Sequence, residues 1–429
     1  MTNHFYIHIP FCNQKCPYCK FALTPIFDEF KKRRYLEYLK KEIREYFLSV
    51  PIFACEFGGS ISEDFREKFQ TVGATASFGN LENQTGNRFQ NETEKIETFG
   101  TFSHKSTGNN NGKISEDPEM NSGGQKQTIY FGGGTPSILS HDEIREILKC
   151  FPFYKNNNTE ITLESNPEDI NESYINGLIS LGINRLSMGI QTLNNKSLTE
   201  IHRSDRDSIF GALEGIQNAS KNTQNISINV DFILGLPYTK SGEILNYIKQ
   251  IHRDFPMITH TSVYMLEDED YPKNWEKNSI TELELQGEFN EIIEYFRSIG
   301  WTHYELSNFA KPGYESLHNR AYWNHSNSRG FGLSASSYED RVRWSNASSF
   351  HGYYLGKKEQ EETLDQEAIE TEKMMFGLRT SGWKYIGDFT ENTKIQKLIT
   401  SHLIEVDENI IKPTKTGIFL LDYIMSELL

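Results

Sequence analysis

The chain has 429 residues, a formal net charge of -15 at pH 7 and 37% hydrophobic residues, long enough for one large domain with a smaller one or an insertion. This acidic balance excludes non-specific nucleic-acid binding as the main task, because phosphate contacts need clustered Lys and Arg; local basic patches remain compatible with it. No apolar run approaches the roughly 20 residues that cross a bilayer, and the opening MTNHFYIHIPFCNQKC has neither a basic n-region nor an Arg-rich presequence. A soluble, cytoplasmic protein is expected.

FYIHI (Phe5 to Ile9) reads as a buried strand, and EFKKRRYLEYLKKEIREYFL carries Tyr35, Leu39, Ile43 and Phe47 at helical spacing. Over 57–127 the periodicity dissolves into a Gly, Asn, Ser, Thr, Glu and Gln mixture, the composition of a disordered insertion. Strands and helices then alternate: TIYFGGGTP, a helix from His141 to Cys150, EITLES, ESYINGLISLG, INRLSMGI, DSIFGALEGIQNASK, ISINVDFILG, GEILNYIKQIH, HTSVYML and ELQGEFNEIIEYFRSIG. Repeated β then α units need a parallel sheet, and their glycine-containing strand ends put the site at the C-terminal rim of a barrel or partial barrel. After Tyr338 the rhythm stops. From about Asp365, helices EAIETEKMMFGLRTSG and KIQKLITSHL, a hairpin in EVDENIIKPTKTGIFLL and a closing helix form a small α+β, winged-helix-like appendage. The expected division is a core over 1–345, interrupted by the 57–127 insertion, and a C-terminal domain over 346–429.

Of five cysteines, Cys12, Cys16 and Cys19 crowd into the loop after the first strand, whereas Cys55 and Cys150 are isolated and read as ordinary thiols. Such clustering favours a metal centre over disulfides. Structural zinc usually takes four protein ligands. Three cysteines with Phe21 following Lys20 instead leave one iron of a 4Fe-4S cluster open to a cofactor. A zinc knot completed by His8 or Cys55, or unrelated core cysteines, are the competing readings.

YIHIPFCNQKCPYCKF resembles the cluster motif of the HemN and HemW branch of radical S-adenosylmethionine proteins. The resemblance implies a partial (β/α)6 TIM-like barrel, a 4Fe-4S cluster on Cys12, Cys16 and Cys19, and S-adenosylmethionine chelating the open iron. Reductive cleavage would then yield a 5′-deoxyadenosyl radical. Through the motifs YIHIPFC, GGGTP, ESNP, GIQ, HR and NVDFILGLP it assigns Tyr6, Gly133, Gly134, Thr135, Glu164, Gln191, Arg203 and Asp231 to cofactor binding. Each alone has a plainer role as a helix cap, backbone partner or surface ion pair.

YELSNFAKPGYESLHNRAYW resembles the HNxxYW signature of HemW-like heme chaperones, here His318, Asn319, Tyr322 and Trp323. A histidine can ligate heme iron while Tyr322 and Trp323 pack on the macrocycle. Alternatively, His318 hydrogen-bonds locally and the aromatics fill a seam. The resemblance implies heme as bound cargo, a recipient apoprotein and, where radical chemistry occurs, an electron donor. Oxygen-independent coproporphyrinogen oxidase, which characteristically has another cysteine where Phe21 stands, is the competing activity, and another radical reaction such as methyl transfer the third. Whether the chain is an enzyme stays open, and no catalytic residue is assigned. GFGLSASSY (Gly330 to Tyr338) departs from the family's GIGAGAHS pattern at Leu333, Ser334 and Ser336, removing a histidine at Ser336.

Overall fold

The computed structural model describes residues 2–20, 23–25, 28–50, 126–222, 226–266, 280–380, 382–385 and 389–429. Cys55 and the expected insertion up to residue 125 lie outside them, and a strand already begins at Gln127.

Six strands, β1 His4–Ile9, β2 Gln127–Gly133, β3 Thr159–Ser165, β4 Arg185–Gln191, β5 Ser227–Leu234 and β6 His260–Met265, lie side by side in chain order, all parallel. Helices separate them: α1 Glu29–Ser49, α2 His141–Leu148, α3 Glu172–Ser180, α4 Asn195–Glu200, α5 Arg206–Asn222 and α6 Glu243–Asp254, with α7 Glu282–Ser298 after β6. Capping boxes start α2 (Ser140 with Glu143) and α7 (Thr281 with Glu284), each satisfying otherwise orphaned backbone donors.

This is the expected series of six β then α units, but β1 and β6 do not pair with each other, so the sheet stays open. Beyond β6 it continues antiparallel through β8 Asn308–Ala310 to β7 Thr302–Glu305. On the other side β9 Ser328–Phe331 runs parallel to β1, then β10 Ser336–Glu339, β11 Val342–Asn346 and β12 Lys358–Thr363 add an antiparallel meander. None of these added strands, β7 to β12, has a counterpart in the sequence reading; β12 is KEQEET, exposed throughout, and owes its strand form to pairing with β11.

Alternation along the parallel strands sorts the side chains onto two faces. Phe5, Ile7, Ile9, Ile129, Phe131, Leu163, Leu186, Met188, Val230 and Phe232 are wholly buried against the helices. Phe5, for example, packs its ring on Phe47 of α1 at 5.4 Å and on Phe151 at 5.7 Å.

At the C-terminal end, α8 Leu317–Trp323 and α9 Phe350–Tyr354 precede α10 Gln366–Leu378, which joins α11 Thr393–Thr400, α12 Leu421–Leu428 and a three-stranded sheet. That sheet is β13 Trp383–Lys384, β14 Ile404–Asp407 and β15 Ile410–Pro413, with β15 central. Met374, Leu378, Ile395, Leu398, Ile411 and Ile424 form a small core of its own. Among the described residues no helix is long and apolar enough to cross a membrane.

Candidate functional site

The face opposite the helices is polar. From β1 to β6 it presents His4, Tyr6 and His8; Thr128 and Tyr130; Glu160, Thr162 and Glu164; Arg185 and Ser187; Asn229 and Asp231; and His260 and Ser262. Buried polar groups are costly unless hydrogen-bonded, and most of these are. Asn229 donates to Ser187 Oγ and Asp231 Oδ1, both at 2.7 Å, while its Oδ1 meets His260 Nδ1 at 2.6 Å. The opposite ring nitrogen of His260 meets Tyr304 Oη at 2.7 Å.

The cysteine loop sits where β1 ends. Cys12 and Cys16 are buried and Cys19 half-buried. Burial pushes the Cys12 thiol up to about 11, with the charges of Cys19 and Cys16 adding to the rise; its contact with Thr135 Oγ1, at 3.0 Å, works the other way. Metal binding must take the proton from such a thiol. Arg203, half-buried with its guanidinium on the Gly189 carbonyl, faces Tyr18 and Cys16, and these neighbours with Glu168 outweigh desolvation and raise its pKa. Three thiols from one loop, within electrostatic reach of one another, fit a 4Fe-4S cluster. Among the described residues no three His, Cys, Asp or Glu side chains gather closely enough to hold a single ion, and His8 Nδ1 is turned to Tyr6 Oη at 3.1 Å.

Beside the loop, the glycines ending β2 form a cradle. Gly133 has φ +109, and a β-carbon there would lie 2.6 Å from the His8 ring; one on Gly134 would lie 2.5 Å from the Phe11 carbonyl oxygen. Only glycine allows both the conformation and the close approach. Gly134 N–H donates to Ile9 O and Thr135 N–H to Phe11 O, each at 2.8 Å, locking the cradle to the cysteine loop.

Glu164 closes the cradle's floor, accepting Tyr130 Oη–H at 2.8 Å and Gly133 N–H at 3.2 Å. Burial raises its carboxyl to about 7 despite the Tyr130 hydrogen bond, and the Asp231 carboxylate adds to the rise. Burial also raises Asp231, and it pushes Tyr6 well up, with Glu164 contributing. At the far side, β4 breaks register between Gly189 and Gln191, which takes φ +63. The Gln191 amide nitrogen and an Arg203 guanidinium nitrogen lie 2.6 and 2.9 Å from where a Gly189 β-carbon would stand. The eight expected cofactor residues therefore line one continuous rim from β1 to β5.

His318 lies below the rim, buried in α8. Its Nδ1 meets Thr128 Oγ1 at 2.7 Å, its Nε2 meets Tyr322 Oη at 3.0 Å, and its ring stacks on Tyr130 at 4.9 Å. Burial lowers its pKa well below the ordinary value, so the ring is neutral. Glu160 receives the backbone N–H groups of Leu317 and His318 at the start of α8. Asn319 N–H is capped by Ser316, while Trp323 points away, edge-on to Phe376 of α10 at 5.7 Å. In the departing stretch, Gly332 (φ +100) lets Tyr35 Oη reach Leu333 N–H and His8 O. Ser334 takes φ +56 and Ser336 is exposed.

Sequence reasoning gave His8 only as a possible zinc ligand and did not single out Tyr18, Tyr130, Arg185 or Glu305. His8 and Tyr130 share the alternation that exposes Tyr6 to the site, which was the available signal. Glu305, at the end of β7, is buried with its carboxyl raised to about 7 by that burial; nothing local in YELSNF marks it.

A parallel β/α sheet with three cysteines after its first strand and a glycine cradle ending its second is the architecture of a radical S-adenosylmethionine protein. The Radical SAM superfamily model matches residues 118–273. The chain is 30% identical to "Heme chaperone HemW" of Lactococcus lactis, over 68% of this chain and 81% of that one. It is 31% identical to the Synechocystis protein of the same name, over 66% and 73%. Escherichia coli HemN, a coproporphyrinogen III oxidase and radical SAM enzyme, has a similar fold, with a TM-score of 0.67 at 19% identity over 99% of this chain and 89% of that one. The chain belongs to the HemW heme chaperone family of the radical SAM superfamily.

Proposed function

We propose that this protein accepts heme and transfers it to a recipient apoprotein in the cytoplasm, holding a 4Fe-4S cluster on Cys12, Cys16 and Cys19. S-adenosylmethionine would lie along the rim of Tyr6, Gly133, Gly134, Thr135, Glu164, Gln191, Arg203 and Asp231. When bound and reduced, the cluster supplies one electron to the cofactor's sulfonium. The chain's own part is positional. The cradle of Gly133 and Gly134 leaves room for the methionine end, Arg203 supplies positive charge for its carboxylate, and Glu164 and Asp231 supply acceptors for ammonium or hydroxyl groups.

The observation that carries the heme reading is the connection of α8 to the rim: His318 stacks on Tyr130, Tyr130 binds Glu164, and Glu164 binds Gly133. Heme at the HNxxYW motif would thus sense the cofactor site. In this reading His318 is the iron ligand, with Asn319, Tyr322 and Trp323 in support. Ligation through Nε2 requires the Tyr322 hydroxyl to leave it. Tyr322 is 39% exposed, so the side chain that covers His318 Nε2 itself reaches the surface.

Anaerobic reconstitution with iron and sulfide, followed by heme titration and mixing with apomyoglobin as acceptor, tests the proposal. The expected result is a four-iron EPR signal that shifts with S-adenosylmethionine, stoichiometric heme uptake weakened in His318→Ala, and passage of heme to the acceptor. Decarboxylation of coproporphyrinogen without heme uptake would assign the chain to the oxidase activity instead.

A further inference from the structure

The cluster must receive its electron from somewhere, and one surface of the chain contrasts with its overall charge. Helix α1 carries seven Lys and Arg against four Glu, in a protein of net charge -15. Lys32 is buried against Glu143 at 3.1 Å, and Lys40 takes Glu37 at 2.8 Å. Lys31, Arg33 and Arg34 are exposed and form no ion pair among the described residues.

Phe30, Lys31, Arg34 and Tyr38 follow the spacing of one helical face. Phe30 is 70% exposed, and Leu355, at the end of α9 beside this face, is 60% exposed. Between them the Arg34 guanidinium lies 4.7 Å over the Tyr354 ring, which packs at 4.3 Å on Tyr38. Ordered aromatic and arginine side chains inside a charged rim are what transient protein partners use as anchors.

Two successive rings join this surface to the cysteine loop. Tyr354 is 6.0 Å from Phe350, and Phe350 stacks on Phe11 at 6.5 Å; Phe11 directly precedes Cys12. Tyr35 braces both, 5.3 Å from Phe11 and 5.9 Å from Phe350.

We propose that Phe30, Lys31, Arg34, Tyr38, Tyr354 and Leu355 form the docking surface for an acidic one-electron carrier protein that reduces the cluster. The carrier loses one electron and the cluster gains it; no bond or proton moves, so close approach suffices. Opposite charge brings the carrier to this face at high rate, and a small contact suits a partner that must leave after each delivery. An anionic membrane would also suit the basic rim, but the rings leading inward to Phe11 are used only by an electron carrier. The inference rests on the cluster reading and is independent of heme.

The test uses the full reconstituted chain, with acidic flavodoxin as the probe. Binding by calorimetry at low and high salt is read beside the stopped-flow rate of cluster reduction by reduced flavodoxin and, separately, by dithionite. The double variant Lys31→Glu/Arg34→Glu should lose at least about tenfold in flavodoxin affinity and rate, keeping iron content and dithionite reduction unchanged. Arg34→Lys, which keeps the charge and loses the stacking, should fall between, and Lys412→Glu on β15 should match the parent. An intact, dithionite-reducible cluster with flavodoxin affinity unaltered in the double variant overturns the proposal. So does binding of phosphatidylglycerol vesicles by this face without any binding of flavodoxin. A chain without a four-iron cluster overturns the cluster reading and this proposal together, and iron content distinguishes that case at the outset.

Discussion

The two faces of the parallel sheet are made by the same strands and differ in almost everything else. On the outer face, Phe5, Ile7, Phe131, Leu163 and Phe232 are buried against helices and contribute through area removed from water. On the inner face, residues one position away carry hydroxyls, imidazoles and a guanidinium at comparable burial, with the carboxylates of Glu160, Glu164 and Asp231 half-buried among them. The outer face is a store of stability; the inner one spends some of it to hold polar groups in place for a ligand. Substitutions on the two faces should therefore fail differently.

The largest expected effect belongs to the rim. Cys12→Ala, Cys16→Ala or Cys19→Ala should each abolish the four-iron EPR signal and reduce bound iron to near background after reconstitution, with far-ultraviolet circular dichroism retained. A full cluster in any of them would remove that cysteine from the ligand set.

On the outer face, Phe131→Ala should cost about 3–5 kcal/mol in denaturant unfolding through the cavity it leaves. Soluble, folded Phe131→Ala protein should still assemble the cluster. A loss below about 1 kcal/mol would mean that the helices collapse into the gap.

Glu305 sharpens the contrast through pH. Burial holds its carboxyl at about 7, above its ordinary 4.5, so the folded state binds the proton more tightly than the unfolded chain does. The stability this contributes is complete below about 4.5 and is lost as pH rises through about 7. Glu305→Gln should remove that slope, a difference of at most roughly 3 kcal/mol across the window. Parallel stability profiles for the parent and Glu305→Gln would show that Glu305 does not titrate there.

The smallest effect is expected at Thr162, whose buried Oγ1 has no hydrogen-bond partner among the described residues. Thr162→Val keeps the shape and removes the unsatisfied group, so stability should hold or rise by up to about 1 kcal/mol. A clear loss would reveal a partner such as an ordered water.

Much of this was legible in the chain. Period-2 and period-3.6 patterns identified the six β then α units, because a buried outer face demands apolar residues at fixed spacing. The cysteine triad and GGGTP were legible for a related reason: three thiols in eight residues and three glycines at a strand end have few uses. The meander from β9 to β12 was not. KEQEET has no apolar face to advertise a strand, and only the ladder to β11 makes it one. The inner face was read only in part, since Tyr6, Glu164 and Asp231 were assigned through motifs while Tyr130 stood outside them and His8, though inside one, was given no cofactor role.

By itself the sequence determined the β/α order, the cluster loop and the glycine cradle, all of which depend on neighbours within a few residues. Tertiary structure alone decided that Arg203 meets Gly189 and Tyr18, that His318 spends both ring nitrogens on Thr128 and Tyr322, and that Phe350 stands beside Phe11. Those contacts join residues far apart in the chain, and no local spacing encodes which strand ends a folded sheet will bring together.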